Sequence, residues 1–112
     1  MKVSITEHTP DTTIIALSGR MDAGNASEFD EAFGVVLGKK PASLIIDLAG
    51  LEYISSAGLR SVLTLIKAAK AGGAGLKFCA MQPMVTEVFK VSGFSAMLAI
   101  FDTLDAALAA KG

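Results

Sequence analysis

The chain has 112 residues, a net charge of −1 and a single cysteine, with 52% apolar and 19% charged residues. That length predicts one domain, 1–112, around one core, and that charge gives no sign of the basic face with which a protein grips nucleic acid or an anionic membrane. One thiol rules out an internal disulfide and fits a reducing, cytoplasmic setting. No leader pattern opens the chain, and no apolar run nears the roughly 20 residues of a membrane helix.

Val3, Ile5 and Glu7 alternate with Ser4 and Thr6, which predicts a first strand with one wetted face. His8-Thr9-Pro10-Asp11 reads as a turn, and Thr12–Ser18, with Ile14, Ile15, Ala16 and Leu17, reads as a second strand. The short link makes the pair an antiparallel hairpin. After Gly19–Asp22 and a loop over Ala23–Asn25, residues Ala26, Phe29, Phe33, Val36 and Leu37 recur at helical spacing. This helix ends near Gly38, with Lys39 and Lys40 beside its negative end and Pro41 just past it.

Leu44–Leu48 is short, apolar and β-branched, which predicts a buried strand, and Ala49–Glu52 reads as a turn. Leu59, Val62, Leu63, Ile66 and Ala69 then mark one face of a second helix that runs to Lys70. Gly72–Gly75 closes it, and Leu76–Ala80 reads as a further strand. Pro83 suits the first turn of a short helix carrying Val85, Val88 and Phe89, stopped by Ser92-Gly93-Phe94. Leu98–Phe101 is a last strand, and Asp102 or Thr103 caps a final helix with Leu104, Ala107 and Leu108 inward. The order ββαβαβαβα implies an α/β domain with a largely parallel sheet and right-handed crossovers.

In such sheets, contacts with ligands and partners gather where strands end and helices begin. Two serines, Ser55 and Ser56, stand at that kind of junction, and the Asp22 loop lies on the same edge. A serine before a helix is commonly an N-cap. Here neither serine has a Glu or Gln three residues on to complete a capping box. The small residues Ala57 and Gly58 leave the approach to Ser56 open. A phosphate added there would bring about −1.5 to −2 charges to the positive end of a helix, which tolerates them.

Other residues carry blander readings. Asp22 is a turn residue or a helix cap, and Asp47 bonds neighbouring backbone from a strand near the same edge. Cys79 is a small core residue. Met81 and Met84 either fill core gaps or line a partner surface. Gly72–Gly75 lacks the Lys-Ser/Thr of a phosphate loop. One histidine, His8 on a turn, offers neither a His-containing triad nor a histidine metal cluster. No catalytic residues, metal ligands or cofactor site are expected.

Across its whole length the chain resembles STAS domains, and specifically bacterial anti-sigma factor antagonists. The resemblance rests on Ile54-Ser55-Ser56-Ala57-Gly58-Leu59 with its Ser-x-Gly-Leu spacing, on Gly19-Arg20-Met21-Asp22 as the Gly-x-x-Asp segment, and on Val91-Ser92-Gly93-Phe94. It implies a STAS-like fold with helices packed mainly on one face of the sheet and with no enzymatic activity of its own. It also implies docking onto an anti-sigma factor that is itself a serine kinase, through Asp22, Ser55, Ser56, Ala57 and Gly58. Docking would free a sigma factor; the kinase, bringing ATP and Mg²⁺, would then phosphorylate Ser56 and release the domain, and a serine phosphatase would reset it. The family commonly has Asp where Ser55 stands, which keeps Ser55 as a second candidate acceptor. A weak homodimer stays open. So does a STAS module of a lipid-transport complex or stress-sensing scaffold with no phosphorylation cycle. A small flavodoxin-like enzyme is the remaining rival.

Overall fold

The computed structural model describes residues 1–110. Five strands form one sheet in the order β1-β2-β3-β4-β5: β1 Lys2–Thr9, β2 Thr12–Met21, β3 Ser43–Ile54, β4 Gly75–Cys79 and β5 Ala99–Phe101. Only β1 and β2 are antiparallel; β2 through β5 pair in parallel. The helices are α1 Ala26–Gly38, α2 Ser56–Ala71, α3 Pro83–Val91 and α4 Leu104–Ala109, with a 3₁₀ turn at Phe94–Ala96.

From β2 to β5 each parallel connection steps the same way across the sheet. Right-handed crossovers therefore put α1, α2 and α3 on one face. The main core lies there, where Phe29 and Phe33 of α1, Val62 and Leu65 of α2, and Val85 and Phe89 of α3 meet Ile15, Leu17, Leu44, Ile46, Leu48 and Phe78 of the sheet. Aromatic edges fix part of it: Phe29 and Phe33 are T-shaped at 5.1 Å, and Phe78 and Phe89 at 5.8 Å. Because the strand order never reverses, the sheet has no switch point at which a doubly wound fold opens its cofactor crevice.

The opposite face carries α4 alone, over a small cluster of Ile14, Ile45, Cys79 and Ala107. Lys77 is buried beside it, and its Nζ donates to the carbonyls of Ala107 at 3.0 Å and Ala110 at 2.6 Å. An ammonium at the negative end of a six-residue helix supplies what so little apolar area does not.

Two expectations change. The first strand is wet on both faces: it is an edge strand, Ile5 is 49% exposed, and only Val3 packs against the core. Residues Ala49–Glu52 are not a turn, since β3 runs unbroken from Ser43 to Ile54, and β2 continues through Gly19, Arg20 and Met21. β3 fits against β2 by two bulges. Ala16 and Ser18 face Asp47 and Gly50, and Gly19 and Arg20 face Leu51 and Tyr53, so β3 carries one extra residue each time. Gly50 is needed at the first bulge, where a Cβ would stand 2.6 Å from that of Ser18.

A candidate partner-binding edge

Past β4, β2 and β3 run on together and finish in register, Met21 opposite Ile54, both buried in the core. The next residues are Asp22 and Ser55, and the Ser55 N–H donates to the Met21 carbonyl at 2.9 Å. The two segments picked out by sequence are thereby fastened side by side.

The Asp22 loop holds itself through its own polar groups. Asp22 Oδ1 accepts from Gly24 N–H at 2.9 Å, and the Asp22 carbonyl accepts from Ala26 N–H at 2.9 Å. Asn25, at the N-cap position of α1, turns its side chain back instead of capping. Its Oδ1 accepts from Asp22 N–H and its Nδ2 donates to the Arg20 carbonyl, both at 2.9 Å. Asp22 is thus an exposed turn residue, one position after the strand end whose carbonyl holds the Ser55 N–H.

The serines divide the work. Ser55 is the N-cap of α2: its backbone is extended, its Oγ accepts from Gly58 N–H at 3.2 Å, and its carbonyl accepts from Leu59 N–H at 2.9 Å. Ser56 is the first residue of the helix and is exposed. Among the described residues no hydrogen bond engages its Oγ. Its N–H and that of Ala57 belong to the first turn, where a helix leaves its donors without partners of its own. No acidic residue occupies this turn.

Ala57 is half-buried and packs against the main core. Gly58 is buried, for a reason different from the open approach expected of it. A Cβ there would come within 2.6 Å of Ile54 Cγ1 and 2.9 Å of Met21 Sδ. Gly58 lets α2 start in contact with the ends of both strands, and so fixes the height at which Ser56 stands.

Arg20 and Tyr53, register partners just before the edge, were not singled out by sequence. The guanidinium lies 4.1 Å from the centroid of the Tyr53 ring. Their meeting depends on the second bulge, which no local pattern announces. Asp47 lies farther back than expected, opposite Cys79 in the middle of β3, and its Oδ1 accepts from Ala49 N–H at 3.0 Å. Cys79 is fully buried; burial first, and the Asp47 carboxylate second, push its thiol up to about 11, so it stays neutral. His8 is an exposed residue of β1, Met81 is half-buried against the core, and Met84 is exposed. Among the described residues no group of three or more His, Cys, Asp or Glu could hold a metal ion, and no helix is long and apolar enough to cross a membrane.

Relatives share both sequence and fold. BtrV of Bordetella bronchiseptica, a candidate anti-sigma factor antagonist, is 35% identical over 97 residues, covering 87% of this chain and 84% of BtrV. The crystal structure of an anti-sigma factor antagonist from Mycobacterium paratuberculosis superposes with a TM-score of 0.87 at 25% identity, over 96% of this chain and 90% of that one. SpoIIAA, an anti-sigma factor antagonist, has the same fold at TM-score 0.82 and 19% identity in its unphosphorylated form, covering 96% and 93% of the two chains. The phosphorylated form, from Bacillus, matches at 0.75 and 18%, covering 96% of each. The profile of the STAS domain matches residues 4–107. With Ser-x-Gly-Leu at the start of α2 and Gly-x-x-Asp at the end of β2, this chain belongs to the STAS domain family.

Proposed function

We propose that the chain is an anti-sigma factor antagonist whose switch is Ser56. Unmodified, it docks on a serine-kinase anti-sigma factor in the cytoplasm through the Asp22 loop and the start of α2, and a sigma factor is released. The observation that carries this reading is the separation of the two serines: Ser55 caps α2, leaving Ser56 exposed and its hydroxyl uncommitted.

The kinase supplies ATP and Mg²⁺. The Ser56 Oγ forms a bond to the γ-phosphorus as the bond from that phosphorus to the β,γ-bridging oxygen breaks. ADP leaves, and the hydroxyl proton passes to a base of the kinase or to solvent. The product gains about −1.5 to −2 charges. On its own helix that charge meets the positive end of the dipole and the N–H groups of Ser56 and Ala57, so the fold tolerates it. Toward the partner it adds to the Asp22 carboxylate, and a negative surface is repelled by, or poorly desolvated against, an acidic nucleotide site. Loss of binding without loss of fold follows, and a serine phosphatase reverses it. SpoIIAA, which shares this fold, is described in both phosphorylated and unphosphorylated forms.

The test is phosphosite mapping by mass spectrometry after incubation with the partner kinase and ATP. Phosphate is expected on Ser56; modification confined to Ser55 would overturn the assignment. Ser56→Asp should weaken partner binding at unchanged thermal stability, and equal binding by that variant would reduce Ser56 to a structural residue.

A further inference from the structure

One face of α3 is spent on the core, where Val85 and Phe89 are fully buried. A second face is also apolar. Met84, Val88 and Val91 follow one another at spacings of four and three, and so share a side of the helix. Met84 is 58% exposed and Val91, the last residue of α3, is 80% exposed. That face borders a groove of about 260 Å³ between α3 and α2, lined by Leu59, Glu87, Val88, Val91 and Ser92. Glu87 is its one charged wall. Val35, Met97 and Ile5 are exposed singly, whereas Met84, Val88 and Val91 line up beside a groove, and it is a run of apolar surface rather than one side chain that marks an interaction site.

Leu59 joins this groove to the switch. It stands three residues after Ser56 on α2, one turn along the same side of the helix. A protein interface of ordinary size covers about 800 Å² on each partner. The chain exposes 5969 Å² in all. A footprint of that size centred on the first turn of α2 reaches α3.

We infer that the α2–α3 groove is the apolar half of the docking surface whose polar half is Ser56 and the Asp22 loop. It receives an apolar side chain of the anti-sigma partner, with a lysine or arginine of that partner set against Glu87. This rests on the reading of the chain as an antagonist. The charge change at Ser56 then alters one half of the interface and leaves the other intact. Specificity for one partner lies in the groove, and switching lies at the serine.

The experiment uses the full chain and its purified cognate anti-sigma kinase with ATP, and follows both direct binding and the kinetics of Ser56 phosphorylation. Val91→Asp should raise the KM for the antagonist about tenfold or more, as the loss of an anchor contact does, while kcat changes less than about twofold. Its melting temperature should match wild type, because Val91 packs against so little. Glu87→Lys should raise KM a few-fold, more at low salt than at high. Wild-type kinetics in Val91→Asp would overturn the inference. If the wild-type chain binds the kinase but takes no phosphate, the switch falls. In that case, weaker binding by Val91→Asp still supports the groove, and unchanged binding removes it. Sedimentation gives the last arm: a wild-type dimer made monomeric by Val91→Asp at unchanged KM assigns the groove to a second copy of this chain and overturns the proposal.

Discussion

Two helices of this molecule begin alike. Ser55 caps α2 through the N–H of Gly58, and Thr103 caps α4 through the N–H of Ala106 at 3.0 Å, each closing the same ring over the first turn. Everything around the caps differs. Behind the first turn of α2 stand the paired ends of two strands, Met21 and Ile54, pressed against a glycine. The equivalent residue of α4, Ala106, is exposed. After the cap, α2 presents Ser56 to solvent, whereas α4 turns Leu104 toward the small cluster. A capped helix start is common. What distinguishes α2 is an uncommitted hydroxyl one residue later, held at a fixed height beside a carboxylate-bearing loop.

The strongest way to break the comparison is to crowd both first turns. Gly58→Val forces a side chain into Ile54 and Met21 and should lower stability by about 2–3 kcal/mol in urea titration. Ala106→Val, at the matching position of α4, should change it by less than about 1 kcal/mol, the scale of helix propensity. Similar losses in the two would mean that α2 is not pinned from behind.

Next come the caps. Ser55→Ala and Thr103→Ala should each remove about 1 kcal/mol from their helices. The first should appear in the global transition. The second should appear as faster amide exchange confined to α4, whose hold on the sheet is slight. Ser55→Asp sharpens the contrast further. Aspartate caps as well as serine and suits the positive helix end, so stability should stay within about 0.5 kcal/mol of wild type. Phosphorylation of Ser56 should persist in that variant, since the competing hydroxyl is gone and the cap is not.

Smaller still is Ser56→Ala. It should shift stability by less than about 0.5 kcal/mol, because the side chain it removes is exposed. The effect that vanishes at neutral pH, and so comes last, concerns the α4 side. The Cys79 thiol is raised from 9.0 to about 11 in the fold, so above pH 9 the unfolded chain loses its proton first. Linkage then makes stability fall as pH climbs from 9 toward 11. Wild type should show a steeper fall over that window than Cys79→Ala, by denaturation at a series of pH values.

Much of this was legible in the letters. Period-two and period-3.6 patterns placed five strands and four helices in order, Thr103 was one of two named caps for α4, and Pro83 opens α3 as expected. The pairing of the Asp22 loop with the start of α2 was expected as a shared edge, and the Met21–Ile54 register makes it a contact. Which serine caps could not be read, since either hydroxyl fits the rule and only the backbone angles at Ser55 decide. Nor could the burial of Lys77, whose partners are carbonyls some thirty residues away in α4. The misread turn at Ala49–Glu52 has a physical cause. Leu44, Ile46 and Leu48 alternate, but the core residues that follow are Leu51 and Ile54, and a spacing of three looks like the end of a strand. It is instead the trace of the two bulges, each of which moves the inward side on by one residue.

Those bulges also give β3 slack just before Ser56. Each extra residue is absorbed where it sits, so the partners beyond it, Gly19 with Leu51 and Met21 with Ile54, keep their facing. Losing one residue at either bulge removes that bulge and shortens the strand, with Ile54 still opposite Met21 and the start of α2 still in place. A loss of the same size between 44 and 46, where the ladder is regular, has no spare residue to give up and turns every later inward side chain to the other face of the sheet. Length is forgiving at the bulges and unforgiving before them.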